Sequence, residues 1–162
     1  MSSVPRSERS AIRLNTQFGD FEAAPGNIVS FPEGLPGFEG CRRFILLRHA
    51  GPSPLLCLSA VDGPPATFLA VDPRRVLSRY RCIPSDADRL RLGAGPKTPL
   101  LWLTLITVAD EDEMYANLRA PIVINPERLI GMQVMPRDAL YPLRHRIDFD
   151  ELACTGTDGP SC

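Results

Sequence analysis

Between Ala11 and Phe18 the chain alternates. Ile12, Leu14, Thr16 and Phe18 fall on one side, and Arg13, Asn15 and Gln17 on the other. A period of two predicts a half-buried strand, and Gly19-Asp20 after it predicts a turn. Short apolar runs follow at Ile28–Phe31, Arg43–Leu47, Leu55–Val61 and Thr67–Val71. Each is bounded by Gly or Pro, as strands are. The last two flank Asp62-Gly63-Pro64-Pro65 and predict an antiparallel hairpin. At Asp72-Pro73 the period changes. Asp is a good N-cap, and proline at the first helical position loses no hydrogen bond. Val76, Leu77 and Tyr80 then fall at helical spacing, which predicts a short helix from Pro73 to Arg79. Ser85 caps a second, Asp86–Leu92, with Asp86 and Asp88 at its dipole-favoured end and Gly93-Ala94-Gly95-Pro96 ending it.

Leu100–Ala109 is the most strand-like run and predicts a central strand. The acidic turn Asp110-Glu111-Asp112-Glu113 leads back into Met114–Arg119. Pro121 and Pro126 bracket Ile122-Val123-Ile124-Asn125, which predicts an edge strand, because proline cannot donate to a ladder. Arg128–Met135 and Tyr141–Ile147 complete the extended segments. The sum is a mainly β fold: a single-domain small β-barrel or strongly curved antiparallel sheet with two short helices. It is expected to span residues 11–150, between flexible tails at 1–10 and 151–162.

Composition agrees with this picture and removes function classes. The chain has 162 residues, enough for one domain with a real core. Its 17 prolines, spread along the chain, disfavour long helices. A net charge of −1 provides no global field for nucleic acid. No apolar run approaches the roughly 18 residues of a membrane span. Met1–Ser10 is polar and does not read as a secretory leader. The cysteines at 41, 57, 82, 154 and 162 are odd in number and form no C-x-x-C pair, which fits reduced thiols in the cytoplasm.

One stretch resists the strand grammar. Phe31-Pro32-Glu33-Gly34-Leu35-Pro36-Gly37-Phe38-Glu39-Gly40 holds three glycines and two prolines, so it is neither helix nor central strand. Its apolar residues Phe31, Leu35 and Phe38 distinguish it from a linker. It is either a rigid structural corner or a shaped surface that a partner recognises. The acidic run Asp110–Glu113 is either a solvated turn or a local electrostatic tool.

Tests for chemistry give little. Gly95-Pro96-Lys97-Thr98 fails as a phosphate loop, because Pro96 stands where a glycine N–H is needed. His49 and His145 have no His or Cys at ligand spacing. There is no Gly-x-Ser-x-Gly elbow. The residues therefore read as a soluble all-β binding module, with no catalytic, metal or cofactor residue assigned. A small metal-dependent hydrolase and an RNA-binding β-barrel remain as alternatives.

The motifs themselves are more specific. Phe31 to Glu39 followed by Arg43-Phe44 resembles the hallmark of FliW, the bacterial flagellar assembly factor family. Leu58 onward, with Val61-Asp62 and Phe68-Leu69-Ala70-Val71-Asp72-Pro73, is similar to its second block. Asn117 to Asn125 is similar to its third, and Gln133-Val134 with Tyr141–His145 to its last. The likeness covers residues 12–147. One departure is Ser59-Ala60, where the family often has Gln-Ser. The resemblance implies a cytoplasmic protein–protein switch and not an enzyme. It would bind flagellin and antagonise the translational regulator CsrA, coupling flagellin level to flagellin mRNA translation. No nucleic acid, membrane, cofactor or small-molecule substrate is implied. The expected contact residues are Glu33, Leu35, Phe38, Glu39, Asp110, Glu111, Asp112, Glu113, Asn117, Ile122, Ile124 and Asn125, with Leu35, Phe38 and Ile122–Ile124 forming an apolar groove for a flagellin helix.

Overall fold

The computed structural model describes residues 12–16, 19–23, 25–48, 54–109, 113–136 and 141–148. The predicted tails lie outside these residues. The strands are β1 (Ile12–Thr16), β2 (Gly19–Ala23), β3 (Ile28–Ser30), β4 (Arg43–Arg48), β5 (Leu56–Ala60) and β6 (Thr67–Val71). A short helix α1 (Asp86–Arg91) precedes β7 (Leu101–Val108), β8 (Met114–Ala116), β9 (Ile122–Asn125), β10 (Ile130–Gln133) and β11 (His145–Ile147).

Seven strands close into a barrel in the order β7-β6-β5-β4-β3-β10-β9, with β9 returning to β7. Closure leaves the ring no open edge. All neighbours are antiparallel except β3 and β10. The length of β7, eight residues, lets one strand serve three partners. Leu101–Leu103 pair with β9, Ile106–Val108 pair with β8, and Thr104–Ile106 pair with β6 on the other edge. β8 and β11 thus form a flange outside the ring, while β1 and β2 pair only with each other.

The core has an inside and two outsides. Val29, Phe44, Leu58, Ala70, Leu103, Ile122 and Ile124 come from six of the ring strands and pack around Phe31. The seventh, β10, contributes Gly131. A Cβ there would lie 2.7 Å from Phe31 Cζ, so only glycine leaves room for the ring. The opposite face of β4–β7, with Ile45, Leu47, Cys57, Leu69, Val71 and Ile106, is also buried. It is covered by Tyr80, Leu118 and the flange residues Met114 and Ile147. A third cluster sets Leu92, at the end of α1, on Val123 and Met132. Burial on both faces explains why the strands read as continuous apolar runs, not as alternation.

Three local expectations are corrected. Gly19-Asp20 is not a turn: Gly19 pairs with Thr16 and Asp20 with Asn15, both within the β1–β2 ladder. Pro73–Arg79 is not a helix but a 3₁₀ turn over Pro73–Arg75. Asp72 caps it as foreseen, accepting from Arg74 N–H at 2.9 Å. The chain then unwinds, so that Tyr80 enters the core and donates its hydroxyl to Leu118 C=O at 2.8 Å. A tertiary contact outweighs a weak propensity. Finally, β9 is not an edge. It lies between β7 and β10 with all four residues buried. The prolines flank the strand and remove no donor from its ladder. The sheet's edge is β11.

Candidate interaction surface

The loop of residues 31–40 is a chain of tight turns. Gly34 N–H donates to Phe31 C=O at 2.8 Å, Phe38 to Leu35 at 2.7 Å, and Cys41 to Phe38 at 3.0 Å. Gly34 has φ +65, and a Cβ there would lie 2.8 Å from Glu39 Cα. Shape therefore demands this glycine. The loop is tied to the β5–β6 turn. Cys41 Sγ donates to Pro64 C=O at 3.1 Å. Asp62 Oδ1 accepts from the N–H groups of Arg42 and Arg43, each at 3.2 Å, and its other oxygen pairs with Arg43 Nε at 3.3 Å. Desolvation pushes the Asp62 carboxyl up. The hydrogen bonds from Arg43 and Arg42, with the nearby guanidinium charge, outweigh it and hold the carboxyl below its usual range.

Within this frame Phe31 and Leu35 are buried, while Phe38 is 39% exposed. Phe38 stands edge-to-face on Phe68, with centroids 5.1 Å apart. Phe68 meets Phe44 at 6.3 Å, and Phe44 meets Phe31 at 5.1 Å. An aromatic line thus runs from the barrel interior to the surface and ends at Phe38. Glu33 and Glu39 are exposed beside it. Glu39 accepts from Gly37 N–H at 3.1 Å, and Glu33 faces Arg91 of α1 at 3.8 Å. A half-exposed aromatic on a rigid support loses little entropy when a partner covers it.

The other expected contact residues divide. Asp110, Glu111 and Asp112 lie outside the described residues. Glu113 accepts from Tyr115 Oη at 3.1 Å and pairs with Arg146 at 3.8 Å. The register of β4–β7 brings the end of β7, at Val108, to the same barrel end as the 31–42 loop and the β5–β6 turn. Asn117 closes a local turn, accepting from the N–H groups of Arg119 and Ala120. The apolar groove is corrected. Leu35, Ile122 and Ile124 are at most 2% exposed because they fill the barrel interior. Asn125 is fully buried: it donates to Leu92 C=O at 2.8 Å and accepts from Glu127 N–H at 3.0 Å. It joins β9 to the end of α1.

Sequence reasoning missed the roles of Asp62 and Phe68. An Asp just after a strand and before Gly-Pro-Pro is a signal for backbone capping, whereas the Phe68–Phe38 contact has no local trace. The Ser59-Ala60 departure is internal, since buried Ser59 shares a 2.9 Å hydrogen bond with Thr67 across the hairpin. Gly95–Thr98 is a structural turn, closed by a bond from Gly95 N–H to Thr98 Oγ1 at 2.9 Å. Among the described residues no cluster of His, Cys, Asp and Glu could hold a metal.

The family model described as FliW protein matches residues 13–147. The flagellar assembly factor FliW of Carboxydothermus hydrogenoformans is 38% identical over 136 residues, covering 83% of this chain and 88% of that protein. Its counterpart in Natranaerobius thermophilus is 32% identical, over 83% of this chain and 90% of that one. A crystal structure of the flagellar assembly factor FliW superposes with a TM-score of 0.74 at 31% identity, covering 85% of this chain and 96% of that one.

Proposed function

The chain belongs to the FliW family of flagellar assembly factors, and from that premise we propose that it binds flagellin in the cytoplasm and antagonises CsrA. Flagellin level would then set flagellin mRNA translation. The observation that carries this reading is the FliW match over residues 13–147, which takes in every strand of the ring. The exposed end of the aromatic line at Phe38 supports it as a contact point.

A switch of this kind needs mutually exclusive complexes of comparable effective affinity. If one were about a hundred-fold tighter, or about 2.7 kcal/mol, the protein would stay locked on one partner. Carboxylates are the means of displacing RNA. Glu33 and Glu39 are exposed on the 31–40 loop, and with the acidic run Asp110–Glu113 they make up the carboxylates of this proposal. Held beside a basic RNA groove on CsrA, they repel phosphate. The test is reconstitution of the purified protein with flagellin, CsrA and a labelled leader RNA. Flagellin and CsrA should elute in separate complexes with the protein. Phe38→Ala should weaken at least one complex about tenfold or more. Gln and Asn replacements at the six carboxylates should leave CsrA bound and lower RNA release. Recovery of neither partner, or of both in one complex, would overturn the switch. Unchanged RNA release in the neutralised variant would overturn the electrostatic part alone.

A further inference from the structure

We propose a second docking surface, for an acidic segment of a partner protein that carries an apolar anchor. After β6 the chain crosses the outside of the barrel and passes the start of β7. Between the two runs lies an open cleft of about 300 Å³. It shares no lining residue with the 31–40 loop. Leu100 and Trp102 are half-buried within it, and Ile83 stands at its margin 76% exposed. A large aliphatic side chain left so far in water beside an indole is an unfilled apolar contact.

The charge of the cleft selects the occupant. Arg74 and Arg81 line it, both exposed, and no carboxylate does. Asp72, the acid next in sequence, caps the 3₁₀ turn and pairs with Arg74 at 3.5 Å, so each is the other's partner, while Asp88, whose charge reaches Cys82 of the lining, pairs with Arg91 at 3.6 Å. Arg81 is held at its backbone, where its N–H donates to Tyr141 Oη at 2.9 Å. The exposed Arg81 guanidinium beside Leu100, Trp102 and Ile83 complements a carboxylate next to an apolar side chain. A single-stranded RNA fits less well. It needs a track of cations and successive stacking rings. Here there are two cations, and besides Trp102 the lining holds one ring, Tyr80, which is buried and bonded to Leu118. The proposal stands apart from the switch described above, since it rests on other residues and on the opposite charge.

Trp102 is the chain's one tryptophan, so its emission reports on the cleft. The full chain would be titrated with an acetylated peptide of alternating Glu and Leu, with its Lys/Leu counterpart, and with oligouridylate. The Glu/Leu peptide should shift Trp102 emission saturably, and the Lys/Leu peptide should not. Arg81→Glu should weaken the response about tenfold while leaving the thermal melt unchanged, because the side chain is exposed. Ile83→Asp, likewise exposed, should weaken it too. The proposal is overturned if the Glu/Leu peptide gives no saturable shift or the Lys/Leu peptide shifts the emission equally. It is also overturned if oligouridylate binds more tightly, or if both variants respond like the parent.

Discussion

Replacing Asn125 separates a contact residue from a structural one. Its amide donates to Leu92 C=O and accepts from Glu127 N–H, with no surface exposed. Asn125→Ala removes both bonds and leaves a buried carbonyl at the end of α1 without a donor. Each of the two net hydrogen bonds is worth about 1 kcal/mol, and an orphaned buried group costs about 1–3 kcal/mol more, so the loss should be about 3–5 kcal/mol. With a urea m-value of about 2 kcal/mol/M, the midpoint should fall by about 1.5–2.5 M. Trp102 reports the transition, since it pairs with Val123 on β9. Asn125→Asp sharpens the test. Its carboxylate cannot donate to Leu92 C=O, and burial raises its folded pKa above the unfolded value of about 3.9. The folded state then holds the proton more tightly. The deficit should be full at neutral pH and shrink as pH falls through the folded pKa toward the unfolded one. A midpoint within about 0.3 M of the parent for Asn125→Ala, about 0.6 kcal/mol, would refute the structural role.

Three further outcomes follow from single interactions. Gly34→Ala forces a side chain into φ +65 and against Glu39 Cα, so it should cost about 1–3 kcal/mol and lower Tm by about 3–9 °C; an unchanged Tm would refute the backbone argument. Asp62 has a depressed folded pKa, so its contribution is present above the unfolded value of about 3.9 and lost as pH falls through the folded one. Asp62→Asn should flatten the acid limb of the stability profile, and an acid limb as steep as the parent's would count against it. Burial raises the Tyr80 phenol well above its ordinary value, so its contribution is present below about pH 10 and lost as pH climbs toward the folded pKa. Tyr80→Phe should lose about 1 kcal/mol at neutrality and fall less steeply above pH 10 in urea titrations, whereas parallel alkaline limbs would refute that assignment.

The hairpin β5–β6 was legible because Asp62-Gly63-Pro64-Pro65 interrupts two apolar runs that can do little else. Ser85 and the acids behind it marked α1 for the same local reason, and Ser85 Oγ accepts from Asp88 N–H at 3.0 Å. The reading of β9 failed because proline bars a position within a ladder, not one beside it. The helix after Asp72 failed because Tyr80 gains more from the core than from another helical turn. The apolar groove failed because Leu35, Ile122 and Ile124 have the same hydrophobicity facing a partner as facing the barrel interior.

By itself the sequence determined the strand-rich class, the turns that need glycine or proline, and the FliW resemblance. All of these rest on residues close together along the chain. Tertiary structure decided what depends on distant segments meeting. The closing pair β7–β9 turned a curved sheet into a barrel and buried both faces of its strands. Asn125 meets Leu92 across 33 positions, which converts an expected contact residue into an internal brace. Phe38 lies on Phe68, and the cleft joins residues 73–83 to 100–102. Burial and charge complementarity belong to surfaces assembled in three dimensions, and no local pattern of side chains encodes which surface remains outside.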